Sequence, residues 1–137
     1  MNNKILILAP ISVGEYFDKL SILRIKESKI ADPVANHNIK NEIEKLTSAQ
    51  GTEYFKKDDL SQQYDKLFEI NSKLWNYEQE IRDSMINPHS EKFINASVNM
   101  IIFNDHRAVV KREINELLSS DIVEEKFYTK FKYNPNT

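Results

Sequence analysis

Ile101, Asp105, Ala108, Arg112 and Asn115 are spaced 4, 3, 4 and 3 residues apart. Residues at that spacing share one face of an α-helix. An acid, a base and an amide thus stand in a row that Val98, Ile102, Val109 and Ile114 flank with apolar surface. Charge on a buried helix face is costly unless it is paired. The row is expected to be a lock between helices, a ligand or catalytic site, or a solvated face. Asn104, Arg107 and Lys111 crowd further polar groups into the same turns.

A second row, Asn71, Trp75, Glu78, Arg82 and Met85, sets the single Trp beside an acid and a base. Glu78 and Arg82 have the favourable order for an ion pair one turn apart. Exposed to water, such a pair adds only about 0.3–0.5 kcal/mol. The sharper reading makes Trp75 the floor of a pocket and Arg82 the clamp on an anion. Nearer the start, Glu15 and Asp18 share a face with Ile22, Ile25 and Lys26. Glu15 fits a helix-capping role, and Asp18 could be an ordinary first-turn acid that the helix dipole favours.

The three histidines, His37, His89 and His106, have no metal-ligand spacing. A Mg²⁺ ion would need carboxylates from separate helices, such as Asp18, Glu78 and Asp105, and no spacing supports that set. No phosphate-binding glycine loop or nucleophile elbow is present. No resident metal or cofactor is expected.

The elements that must carry these residues are helical. Only two Gly and four Pro occur in 137 residues, and sheets joined by tight turns need more of both. Ser12-Val13-Gly14-Glu15 has the form of a capping box, so a first helix begins after Ser12. Tyr16, Leu20, Leu23 and Ile30 recur along it at helical spacing, with Ile22 and Ile25 widening the stripe. Asp32 and Pro33 stop that helix and start a second over 33–46. Residues 48–58 read as a loop. A third helix covers about 60–85, with Leu67, Ile70, Leu74, Tyr77 and Ile81 on its apolar side. Asn87-Pro88 ends it, and a fourth runs from 88 or 90 to 118. Asp121 to Glu124 can cap a last short helix ending near Tyr133, before a polar tail over 134–137. Residues 4–11 are an apolar run expected to lie extended on the bundle. The fold class is all-α: a single domain over 1–137, an antiparallel bundle of four main helices with short terminal segments.

Composition limits the function. Apolar residues make up 40% and charged residues 29%, with a net charge of -2, as in a soluble globular domain. Mixed signs argue against a nucleic-acid module or an anionic membrane surface as partner. The chain has no Cys, which excludes disulfides and thiolate metal sites. The N-terminal apolar run is too short for a membrane span, and a cytoplasmic location is the default. Lys outnumbers Arg 15 to 4, a bias typical of AT-rich coding. Against it, each Arg carries information, because a guanidinium can grip a carboxylate or phosphate with two hydrogen bonds.

Four stretches, taken together, resemble one protein family. They are Ile11-Ser12-x-Gly14-Glu15-x-x-Asp18-Lys19-x-x-Ile22-Leu23-x-Ile25-Lys26, then Leu74-Trp75-x-x-Glu78-x-x-Ile81-Arg82, then Asn104-Asp105-x-Arg107-Ala108-x-x-Lys111-Arg112-x-Ile114-Asn115, and Val123-Glu124-Glu125-Lys126-x-Tyr128. The family comprises short helical proteins of bacteria and marine phages, some encoded beside or joined to glycosyltransferases, with no reaction to carry over. The resemblance implies that Glu15, Asp18, Lys19, Trp75, Glu78, Arg82, Asp105, Arg107, Lys111, Arg112, Glu124 and Lys126 are the positions to watch. The all-α NTP pyrophosphatases are a second comparison, but their E-x-x-E partner motif is missing here.

Three functions follow as expectations. The first is a binding or accessory module for an anionic small molecule, such as a phosphorylated sugar or nucleotide-sugar, or for a partner in glycan metabolism. Arg82, Arg112 and Lys111 would hold the anion, Trp75 would stack, and Asp18, Glu78 and Asp105 would orient the bases, with Lys19, Arg107 and Lys126 beside them. The second is a small enzyme with a buried carboxylate as general base, with Mg²⁺ as an optional partner. The third is a structural or homodimerising bundle whose polar row only sets helix register.

Overall fold

A computed structural model describes residues 3–55 and 57–128. They form four α-helices and one short 3₁₀ turn, with no strand among them. α1 is Val13–Lys29, α2 is Pro33–Thr47 and the 3₁₀ turn is Thr52–Tyr54. α3 is Lys57–Ser84 and α4 is Glu91–Leu117.

The starts follow local chemistry. The Glu15 N–H donates to Ser12 Oγ at 3.0 Å, and the Ala35 N–H donates to Asp32 at 2.9 Å with Pro33 at the first helical position. The Phe93 N–H donates to Ser90 Oγ at 3.2 Å, so of the two starts expected for the fourth helix, Ser90 is the one that caps it. Each side-chain oxygen satisfies an amide that the helix itself cannot.

α1 is the central helix and packs against α2, α3 and α4. On one side, Leu23 meets Ile39 and Ile43 of α2. On the other, Val13 and Phe17 pack on Leu60 and Leu67 of α3 and Val110 and Ile114 of α4. Tyr16 and Phe17 also hold Phe55 at ring-centroid distances of 5.3 Å each, which ties the loop after α2 to the core. Burial raises the Tyr16 hydroxyl above the ordinary tyrosine range, since a phenolate there would lose its hydration.

The terminal segments differ from expectation. Residues 3–11 are exposed and do not lie on the bundle. Ile5 is 88% exposed, Leu6 63%, Ile7 83% and Leu8 79%. α2, α3 and α4 already cover the sides of α1 that carry Leu23, Val13 and Phe17. Residues 121–128 form no helix. Instead they fold back along α4, where successive side chains pair with its charges: Glu124 with Lys111 at 3.2 Å, Glu125 with Arg112 at 3.4 Å and Lys126 with Asp105 at 2.8 Å. A helix would turn consecutive residues 100° apart and break that series. The rest of the helix expected to end near Tyr133 lies outside the described residues. No helix among the described residues is long and apolar enough to cross a membrane.

Candidate functional site

The polar centre lies between α1 and α4. Asp18 is fully buried. Its Oδ1 accepts from Arg107 Nε at 2.8 Å and from Asn71 Nδ2 at 2.9 Å, while its Oδ2 accepts from Arg107 Nη2. The same Asn71 amide donates to Ser21 Oγ at 2.8 Å, and Ser21 donates to the Asp18 carbonyl at 2.7 Å. Three helices thus close one network around one carboxylate. The Asp18 hydrogen bond holds the Arg107 guanidinium above its ordinary pKa, outweighing the opposing effect of burial.

A second rung lies one turn along. Lys111 donates to Glu15 and also meets Glu124. Burial pulls the Lys111 ammonium down, but the hydrogen bond and charge of Glu15, aided by Asp18 and Glu124, outweigh it and the net shift is upward. The third rung is backbone. The Gly14 N–H donates to Asn115 Oδ1 at 2.6 Å, and the Val13 N–H donates to Ser120 Oγ at 3.0 Å. With Ser12 on Glu15, the first three amides of α1 are all occupied.

Gly14 sets the spacing of the two helices. A Cβ there would overlap the Lys111 carbonyl and stand 2.9 Å from Asn115 Oδ1. Only the absence of a side chain lets the α1 backbone come this close to α4. No described buried side-chain nitrogen or oxygen lacks a hydrogen-bond partner.

Beside this ladder opens a cleft of about 200 Å³, lined by Glu15, Asp18, Lys19, Ile22, Leu23, Lys26, Glu42 and Arg107. Lys19 pairs with Glu42 across its mouth at 3.3 Å. Lys26 forms no ion pair among the described residues. Arg107 spends Nε and Nη2 on Asp18, and its Nη1 has no hydrogen-bond partner among the described residues. The cleft is therefore lined by an Arg that Asp18 holds in place and by a Lys with no ion-pair partner among the described residues.

Of the residues expected to bind, the structure brings Asp18, Lys19 and Arg107 together, with Lys111 adjoining. The others lie elsewhere. Glu78 and Arg82 form a surface pair at 2.9 Å, with side chains 42% and 68% exposed, and the half-buried Trp75 does not line the cleft. Asp105 and Arg112 are likewise on the surface, paired with Lys126 and Glu125. The row from Ile101 to Arg112 is not a buried face: Ile101 is 52% exposed, and only Asn115 of that series is buried. The face of α4 that meets α1 is the neighbouring row Arg107, Lys111 and Asn115, spaced by 4 and 4. Asp18, Glu78 and Asp105 each have a different cation as partner, so they do not converge on a common Mg²⁺ position. No group of three His, Asp or Glu among the described residues is placed to hold a metal ion.

Ser21, Ser120 and the packing role of Gly14 escape a reading by charge and period, because small residues leave no mark in either. No protein-family model matches the chain, and no similar curated protein or solved structure was found.

Proposed function

We propose that this chain is a cytoplasmic binding module for a small anionic molecule, held in the cleft between α1, α2 and α4. The observation that carries the reading is the buried Asp18–Arg107 pair. A buried carboxylate is expensive, and a well-packed apolar residue would serve folding as well or better. Here Asp18 fixes the plane of the guanidinium of Arg107, a residue that lines a cleft. A cation held rigid by a second layer of hydrogen bonds loses little freedom when it meets an anion. Lys26 adds a second positive charge, and Ile22 and Leu23 offer apolar wall to the rest of the molecule. The family resemblance favours a phosphorylated sugar or a nucleotide-sugar. The reading takes the bundle as one antiparallel domain, since the rungs ascend α4 as they descend α1.

The test is thermal unfolding with inorganic phosphate, a sugar monophosphate and a nucleotide-sugar. One of the phosphorylated compounds is expected to raise Tm by several degrees, as saturating binding to the folded state alone must. Lys26→Ala is expected to abolish that rise while leaving the unliganded Tm unchanged. If none of the three compounds raises Tm, the proposal fails.

A second reading has one observation in its favour: the buried polar side chains all find partners within the chain. In that reading the ladder only sets the register of α1 on α4. It is the reading left standing if no anion binds.

A further inference from the structure

We infer that the anion cleft selects phosphate monoesters over diesters, because the Lys19–Glu42 pair at its mouth opens for a phosphate of two charges and stays closed for a phosphate of one. The inference rests on the anion-binding reading of this cleft and names its ligand class. Six charged side chains line the cleft: Lys19, Lys26 and Arg107 against Glu15, Asp18 and Glu42. Arg107 is bound to Asp18, Glu15 to Lys111, and Lys19 to Glu42. Lys26 is in no ion pair among the described residues. With its pairs closed, the cleft offers one unmatched positive charge.

A phosphate diester carries one negative charge, and Lys26 alone matches it. A monoester carries close to two once its second proton has left, at about pH 6. Its second charge needs a second cation, and the ion pairs differ in what they can release. Arg107 cannot leave Asp18, because that carboxylate is fully buried and would be stranded away from water. Lys111 is outside the lining of the cleft and already shared by Glu15 and Glu124. Lys19 and Glu42 are different, with side chains 48% and 47% exposed and 3.3 Å apart. A pair so placed adds little to stability, and both partners regain water when it opens. Lys19 is therefore the lining cation that is released at the lowest cost.

The geometry fits this exchange. Lys19 and Lys26 are seven residues apart on α1. They share one face two turns apart, with Ile22 between them. Their stems leave the helix ~10.5 Å apart, and each is a long flexible chain. A phosphate above Ile22 is within reach of both ammonium groups. Glu42 belongs to α2, so opening the pair moves two side chains and leaves the α1–α4 ladder untouched. For a diester, Lys19 would leave one negative charge for another and gain nothing. For a monoester, Lys19 meets a charge that has no other partner, and the same phosphate repels Glu42 towards water.

The experiment is titration calorimetry at about pH 8 with methyl phosphate, a monoester, and dimethyl phosphate, a diester. It compares wild type, Glu42→Gln, and the double variant Lys19→Met with Glu42→Gln, which removes the pair without changing the net charge. Both variants are expected to keep the wild-type helical spectrum, since the two side chains are half-exposed. Wild type is expected to bind the monoester about tenfold or more tighter than the diester. Glu42→Gln, which leaves Lys19 free, is expected to tighten the monoester about twofold to fivefold, the fold-change that an exposed ion pair is worth. The double variant is expected to weaken the monoester about tenfold and leave the diester unchanged. If neither ester binds wild type, the anion-binding reading falls and this inference with it. If both esters bind wild type equally, that reading stands and this inference is overturned. So it is if the double variant weakens both esters alike or neither, or if Glu42→Gln fails to tighten the monoester.

Discussion

α4 carries charge on two sides, and the two sides differ in depth. Towards α1, Arg107 and Lys111 have side chains 29% and 17% exposed and hold Asp18 and Glu15. Towards solvent, Asp105 and Arg112 are 52% and 53% exposed and hold Lys126 and Glu125 of the returning chain. Both sides form cross-element ion pairs of similar chemistry. Only the inner side removes a charge from water altogether, at Asp18. What the pairs share in geometry they do not share in energy, because desolvation, not the number of pairs, sets the cost of breaking one.

The largest expected effect comes from Arg107→Met, which strands the Asp18 carboxylate without its main partner. Urea unfolding should show a loss of about 3–5 kcal/mol. A loss below 1 kcal/mol would erase the distinction between the two sides. Next is Gly14→Ala. Helix propensity alone favours Ala at this position, but the overlap with the Lys111 carbonyl must push two helix backbones apart. A loss of about 1–3 kcal/mol is expected, and a gain in stability would show that the helices are free to slide. The smallest effects belong to the outer side. Asp105→Asn and Glu78→Gln should each change stability by about 0.5 kcal/mol or less, and added salt should shrink the difference further. A loss of 2 kcal/mol at Asp105 would mean that the returning segment is as firmly held as the core ladder.

Much of the fold is legible in local signals. Ser12, Asp32 with Pro33, and Ser90 start helices where their chemistry requires it. The third helix was expected over 60–85 and is Lys57–Ser84, a shift confined to its ends. The terminal segments were not legible, because nothing in residues 5–8 or 121–128 says what surface is on offer to them. At the site, the scarcity of Arg pointed to Arg82, Arg107 and Arg112, and one of the three proved central. The choice of row on α4 went astray for a physical reason. Both Ile101-Asp105-Ala108-Arg112 and Arg107-Lys111-Asn115 obey helical spacing, and only the position of α1 decides which is covered. Asp18 stands among the candidate residues of the sequence, but its depth is hidden by an adequate local explanation, since an acid in the first turns of a helix is ordinary. Its depth depends on Asn71, 53 residues later, and on Arg107, 89 residues later.

The caps at the start of α1 have a consequence for how the protein is made. The Val13 and Gly14 amides are satisfied by Ser120 and Asn115, 107 and 101 residues further along. During synthesis the first helix leaves the ribosome with those amides bare. At about 5–20 residues per second, its caps arrive some ~5–20 s later. α1 and α2 can meet meanwhile, but the central helix is completed by nearly the last part of the bundle to emerge. A chain cut short before Asn115 would thus hold a first helix with two bare amides and an open apolar face, its own Ser12 cap notwithstanding, and quality control would have a clear mark by which to tell the unfinished protein from the finished one.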